Sequence, residues 1–227
     1  MMNQSLAIKT NGQAGRPHFN VIPGGRSSQG NPLDVLGVSM PFTRNTEIYG
    51  EDDSAEYFYK VVSGMVRTCN ILSDGRRQVN AFYGPGEFFG LEVNDMHTSS
   101  AEAIENTVVM VIKRTAVVSL ANNDSQVARE LWLIASRELQ RMQDRALLLV
   151  KSARERVAGF LLGMASHRSD NAVDLPMSRQ DIADHLGLTI ETVSRTLTQL
   201  TNSAAIALPS ARHIVLRNRS ALMRLDA

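Results

Sequence analysis

The segment Ser178–Leu200, reading SRQDIADHLGLTIETVSRTLTQL, constrains the fold more than any other stretch of the chain. Two short amphipathic runs flank a single glycine. Ser178 can accept a hydrogen bond from a free backbone N–H, and Asp181 stands three positions on, where a first-turn carboxylate completes a helix cap. Ile182, Ala183 and Leu186 mark one apolar face. Gly187 supplies the positive φ that stops the helix. Thr189 caps a second helix whose Val193, Leu197 and Leu200 face inward at spacings of 4 and 3. The residues left outside are Glu191, Thr192, Ser194, Arg195 and Thr198. They carry the chemistry that a DNA major groove demands. An arginine can fork onto guanine O6 and N7, and a glutamate can accept from cytosine N4.

The run Gly-Leu-Thr-Ile-Glu-Thr-Val-Ser-Arg, residues 187–195, resembles the recognition element of the Crp/Fnr transcription regulators, and within them the Fnr and FixK branches. In those branches the Glu, Ser and Arg of E-x-x-S-R read a TTGA half-site. The resemblance thus implies base reading by Glu191, Ser194 and Arg195. The cAMP-receptor branch carries a further arginine just before the glutamate. This chain has Ile190 there, which favours a TTGA readout.

At 227 residues the chain has room for two modest domains, each with its own core. Its net charge of +1 hides a split: residues 151–227 carry ten Lys and Arg against seven Asp and Glu, and residues 1–150 fourteen against sixteen. A slightly basic C-terminal part suits phosphate contact, although a solvated face would look the same. Cys69 is the only cysteine, which rules out an intramolecular disulfide and a cluster held by four cysteines. No apolar run approaches the roughly 20 residues of a membrane span, and the N-terminus has no signal-peptide core. A cytoplasmic protein without a membrane partner is expected.

Residues 1–30 are rich in Gly, Ser, Asn and Gln and read as a flexible tail. From about residue 34 to 121 the pattern is β. Tyr57–Val62 is a strand stopped by Ser63-Gly64. Met65–Leu72 is expected to follow, with Val66, Thr68, Asn70 and Leu72 on one face. Ser73-Asp74-Gly75-Arg76 forms a hairpin turn, and Gln78–Phe82 returns. Gly84-Pro85-Gly86-Glu87 breaks the chain again before short strands at 101–103 and 108–112. Many short strands with frequent glycine breaks point to a jelly roll. The phrases Tyr-Lys-Val-Val-Ser-Gly-Met-Val-Arg, Asp-Gly-Arg-Arg and Gly-Pro-Gly-Glu-Phe-Phe-Gly resemble the cyclic-nucleotide-binding β-roll of the same family.

Between the two regions Ala128, Trp132, Ala135, Leu139, Met142, Ala146, Leu149 and Ala153 recur at alternating spacings of 4 and 3. Such a stripe is commonly ordinary core. Here it runs without Pro or Gly through a charged helix of about residues 125–150, and a second copy of the helix is its natural partner. The family uses this helix to dimerise, which a two-fold DNA site requires. Residues 154–165 read as another helix. Residues 204–216 read as a β-hairpin wing with Pro209-Ser210-Ala211 at its tip. The expected fold is therefore α+β, in four parts: a tail, 1–30; a cyclic-nucleotide-binding-like β-roll (jelly roll), 31–122; a long dimerisation helix, 123–152; and a winged helix-turn-helix, 153–227. Arg179, Thr192, Thr198 and Arg212 are candidates for the DNA backbone. By position in relatives, the turn Asp74, Gly75, Arg76 and Arg77 is a candidate contact for RNA polymerase.

In cAMP-binding members of the family an Arg-Ser pair after Gly-Glu holds the cyclic phosphate. Here Gly86-Glu87 is present, but the matching segment is Ser99-Ser100-Ala101, without the arginine. A buried phosphate would lack its charge-assisted contact, so cAMP is not expected. The oxygen-sensing Fnr cluster needs cysteines that this chain lacks. The five histidines, His18, His97, His167, His185 and His213, show no metal-like spacing, and His185 is expected at the surface. No cofactor and no metal are expected. The chain resembles FixK-type members, which act without a recognised ligand and activate genes of low-oxygen respiration and nitrogen fixation. A regulator gated by a small molecule in the β-roll is the rival reading. An enzyme is not expected, because no P-loop, nucleophile elbow, metal motif or dinucleotide fingerprint is present.

Overall fold

A computed structural model of the chain describes residues 32–165 and 171–226; the expected tail, 1–30, lies outside the described residues. Two four-stranded antiparallel sheets form the N-terminal roll. One has the order β1 (Gly37–Phe42), β8 (Thr107–Lys113), β3 (Tyr57–Ser63), β6 (Phe88–Phe89). The other has the order β2 (Glu47–Tyr49), β7 (Ser100–Ala103), β4 (Val66–Ile71), β5 (Arg77–Tyr83). The inward residues of both sheets meet between them. Tyr49, Tyr59, Val61, Val66, Ala81, Tyr83, Phe89, Ala101 and Val109 make this core. Glycines turn the corners. Gly64 has φ +82°, and a Cβ there would lie 2.7 Å from the Asn106 carbonyl oxygen, so only glycine fits.

β4 keeps the alternation expected of it through Cys69, while its partner β5 carries a bulge. Thr68 pairs with Ala81, but Cys69 pairs with Val79, so Asn80 is an extra residue on β5. On its other edge β4 pairs with β7 in unbroken register, so Thr68 and Cys69 face opposite sides of the sheet, Cys69 on the side of Arg67. Thr68 and its neighbour Cys69 are both buried, Asn70 is half-buried and Leu72 lies exposed beyond the strand end. Burial pushes the Cys69 thiol pKa up, which suits a packed thiol rather than a reactive one.

Two helices follow the roll: α1 (Arg114–Ala121) and α2 (Ser125–Leu147). Asp124 caps α2 by accepting from the Gln126 and Val127 N–H groups. Val127, Leu131 and Ile134 of α2 pack on the outer face of the first sheet, against Phe58, Phe88, Ile112 and Leu33. One turn further on, Tyr83 donates to Glu138 at 3.1 Å, while Arg141 donates to Glu87 at 2.6 Å and lies over the Tyr83 ring. These residues form one stripe of the helix. The stripe predicted to form a seam lies beside it. Ala128, Trp132, Ala135, Leu139, Met142 and Ala146 are all exposed in the single chain, Trp132 at 73%. The helix ends at Leu147, short of the expected 150, so Leu149, 82% exposed, lies just past its end and Ala153, half-buried, falls on the next helix.

The C-terminal domain comprises α3 (Ala153–Ala165), β9 (Ala172–Asp174), α4 (Arg179–Leu186), α5 (Ile190–Asn202), β10 (Ile206–Ala207), β11 (His213–Leu216) and α6 (Arg219–Asp226). The strands pair antiparallel in the order β10-β11-β9. Val157, Leu161, Ile182, Leu186, Val193, Leu197, Leu200, Ile214 and Leu222 share a core. The last helix, α6, was not foreseen from the sequence. It packs on α3, and Asp226 accepts from Lys151 at 2.8 Å beside the α2–α3 junction.

Candidate nucleic-acid interface

The reader is built as its sequence dictates. Ser178 Oγ accepts from the Asp181 N–H at 3.1 Å, and Asp181 Oδ2 accepts from the Ser178 N–H at 2.9 Å, closing a capping box. Gly187 stops α4 at φ +63°, ψ +40°. Thr189 then caps α5, its Oγ1 accepting from the Thr192 N–H at 3.2 Å. Val193, Thr196, Leu197 and Leu200 of α5 are buried. The opposite face exposes Glu191, Arg195 and Thr198, with Thr192 and Ser194 half-buried between them. Among the described residues neither Glu191 nor Arg195 is tied into an ion pair, so both are available to an outside partner. An exposed helix face with one free carboxylate and one free guanidinium a turn apart has the size and chemistry of a major-groove reader.

The candidate backbone contacts fall around this face. Arg179, the first residue of α4, donates to Ser194 Oγ at 3.1 Å. Thr192 shares a hydroxyl contact with Thr189 at 3.1 Å, and Thr198 donates to the Ser194 carbonyl oxygen at 3.0 Å. Arg212 is exposed at the wing tip, where its N–H meets Ser210 Oγ.

The structure redirects two residues. Asp74, Gly75 and Arg76 form an exposed tip, with Arg76 donating to Asp74 at 2.7 Å. Arg77, however, points into the seam between the roll and the reader. It donates to Asp184 at 2.9 and 2.7 Å and to Asp181 at 2.5 Å. His185, expected at the surface, is packed between Phe82 of the roll and Phe160 of α3, with Nδ1 3.2 Å from the Val79 carbonyl oxygen. Burial pushes its pKa down to about 4, so it is neutral at neutral pH.

These contacts belong to an interdomain site missed by sequence reasoning. Arg67 on β4 donates to Glu102 at 3.0 Å and to Asp181 at 2.7 Å. Gln78 donates to the Asp184 carbonyl oxygen at 2.6 Å. Burial raises the Asp181 carboxyl pKa, but the bonds from Ser178 and the charges of Arg67 and Arg77 outweigh it and hold the group below its ordinary range. No local pattern marks these residues, since the partners stand more than 100 positions apart in sequence. The one hint was a pair of arginines, Arg67 and Arg77, on strands otherwise rich in core residues.

A cavity of about 190 Å³ lies between the second sheet and α2, lined in part by Thr68, Asn80, Thr98, Ser99, Arg141 and Arg145. The phosphate-binding arginine missing from the 99–101 segment is not replaced there; instead α2 brings guanidinium groups from the other side. Arg145 donates to Asn80 Oδ1 at 2.9 Å, and burial lowers its pKa.

A β-roll, a long helix and a winged helix-turn-helix with an exposed reader face define a DNA-binding transcription regulator. Residues 155–225 match the Crp-like helix-turn-helix domain family, and residues 39–124 match the cyclic nucleotide-binding domain family. The chain is 49% identical to the nitrogen fixation regulation protein FixK of Azorhizobium caulinodans, over 85% of this chain and 81% of that one. It is 39% identical to the transcriptional activatory protein AadR of Rhodopseudomonas palustris, over 78% and 76%. The structure of FixK2 from Bradyrhizobium japonicum superposes with a TM-score of 0.81 at 49% identity, covering 85% of this chain and 98% of that one. The chain belongs to the Crp/Fnr family of transcription regulators, in its FixK-like branch, and is not an enzyme. Among the described residues no helix is long and apolar enough to cross a membrane.

Proposed function

We propose that the chain is a homodimeric transcription activator that reads a TTGA-N6-TCAA palindrome and controls genes of low-oxygen respiration or nitrogen fixation. It needs no obligatory cofactor and works in the cytoplasm. The observation that carries this reading is the exposed α5 face, where Glu191, Ser194 and Arg195 stand together above a fully buried opposite face. Arg179, Thr192, Thr198 and Arg212 surround it as backbone contacts, which add affinity and salt dependence. Pairing runs along Trp132, Ala135, Leu139, Met142, Ala146 and Leu149. A continuous apolar stripe of this length, left in water by one chain, supports a second copy as its cover. Two-fold pairing sets the readers about 34 Å apart, one DNA turn. The physiological role is supported by the relatives named for nitrogen fixation regulation and for transcriptional activation.

Fluorescence anisotropy without added ligand tests the reading, with a TTGA-N6-TCAA duplex against one with scrambled half-sites. Tight binding to the first alone is expected. Arg195→Ala should cost about 1–3 kcal/mol per half-site and relax selection for the guanine. A full-strength, fully selective site in that variant would sink the assignment. The exposed tip at Asp74, Gly75 and Arg76 is the proposed contact for RNA polymerase, with Arg77 engaged elsewhere. Arg76→Ala should lower transcription and leave DNA binding intact.

A second reading is favoured by Arg145. Its half-buried guanidinium faces the roll cavity and has no carboxylate partner among the described residues. A small acidic metabolite seated there would gate the dimer. Thermal stabilisation of the protein by such an acid, absent in Arg145→Gln, would favour this reading over ligand-free action.

A further inference from the structure

Hydroxyl side chains on a helix commonly turn back on their own backbone and give their proton to a carbonyl one turn earlier. On α5, Thr198 does so to Ser194 at 3.0 Å, and Thr201 to Leu197 at 2.9 Å. Ser194 does not. Its Oγ is held from outside the helix by Nη1 of Arg179, 3.1 Å away on α4. The guanidinium donates and Oγ accepts, so one lone pair of Ser194 is already taken by a cation. Among the described residues the Ser194 proton has no acceptor, and Arg179 makes no other hydrogen bond.

We propose that Arg179 is a positioning residue for base recognition, which sets Ser194 as a hydrogen-bond donor toward DNA. The inference rests on the reading of Ser194 as a base contact. A free hydroxyl donates or accepts equally well and therefore separates bases poorly. With a guanidinium on its acceptor side, a second donor would have to approach a full positive charge. The amino groups of adenine N6 and cytosine N4 are disfavoured on that ground. Thymine O4, guanine O6 and purine N7 are favoured as acceptors for the outward proton. The contact also orders the hydroxyl before DNA arrives, which lowers the entropy cost of using it.

The test is anisotropy of the full-length protein on the TTGA-N6-TCAA duplex and on duplexes changed one base at a time in both half-sites, at several salt concentrations. Ser194→Ala and Arg179→Met should flatten the preference at the same base position. The expected loss is about three- to tenfold per half-site, the effect of one hydrogen bond. The double variant should be no flatter than either single one. Arg179→Lys, which keeps a donor and a charge, should retain most of the preference. The inference is overturned if Arg179→Met weakens every duplex equally, with a shallower salt dependence and unchanged base preference, because that is the behaviour of a phosphate contact. If Ser194→Ala itself leaves the preference intact, the base-reading assignment of Ser194 fails and the inference falls with it. If Ser194→Ala flattens the preference and Arg179→Met does not, the inference alone fails.

Discussion

Arg77 Nη2 of the β-roll lies 2.5 Å from Oδ1 of Asp181, the residue whose other oxygen closes the capping box at the start of the reader. One carboxylate thus serves two tasks. It begins α4, and it ties α4 to the sheet of the other domain. The orientation of the reader is set by the roll through this group, with Arg67 as a second donor at 2.7 Å.

Removal of that carboxylate should be costly. Its side chain is 6% exposed, and two guanidinium groups would be left facing an empty site. Asp181→Ala should lower stability by about 3 kcal/mol, near the low end for breaking a buried pair, because Arg67 keeps Glu102 and Arg77 keeps Asp184. Ser178→Ala, which removes only the cap, should cost about 1 kcal/mol. Urea unfolding midpoints of the two variants check the difference.

Acid should loosen the same seam. His185 has a folded pKa of about 4 against an ordinary 6.5, so the unfolded chain takes the proton first. Stability from this group is present above about pH 6.5 and is lost as the pH falls toward 4. At pH 5 the loss is about 2 kcal/mol. Asp181 acts in the same sense at lower pH, since its folded pKa is also depressed. Thermal melts at pH 7 and pH 5 should separate in the wild type and lie closer together in His185→Phe, which keeps the packing against Phe82 and Phe160 without that titration; buried His97, whose pKa is also pushed down, keeps part of the difference.

The exposed stripe of α2 offers a clean separation of folding from pairing. Leu139 is 59% exposed in the single chain, so Leu139→Glu should leave the monomer folded. Paired across a two-fold axis, two carboxylates would face each other in an apolar seam. Sedimentation velocity should then report a monomer. Affinity for the palindrome should drop by about a hundredfold, as each half-site would bind alone. A dimer of unchanged stability would remove Leu139 from the interface.

Gly187 is the hinge between the two helices of the reader. A Cβ there would meet nothing closer than Arg156 Nη1 at 3.5 Å, so space is not the obstacle. The positive φ is. Gly187→Ala should cost about 1–2 kcal/mol and keep the fold, measurable as a lower urea midpoint.

Much of this protein was written locally in its sequence. Ser178, Asp181, Gly187 and Thr189 set the ends of α4 and α5 through bonds that span three or four residues, and the structure has each of them in that role. The alternating strands, the glycine-rich turns and the stripe on α2 obey periodicities of the chain itself, and these are legible without a third dimension. Tertiary structure decided what periodicity cannot carry. Thr68 and Cys69, on opposite faces of β4, are both buried, because burial on the second face depends on what packs over the sheet. Arg77 left the turn for the domain seam, and His185 left the surface for an aromatic pocket, because their partners lie on β5, α3 and α4 at separations no local pattern reaches. The bond from Arg179 to Ser194 likewise exists only because Gly187 folds α4 back across α5. Short-range hydrogen bonding made the reader; long-range burial and charge pairing decided how it is held.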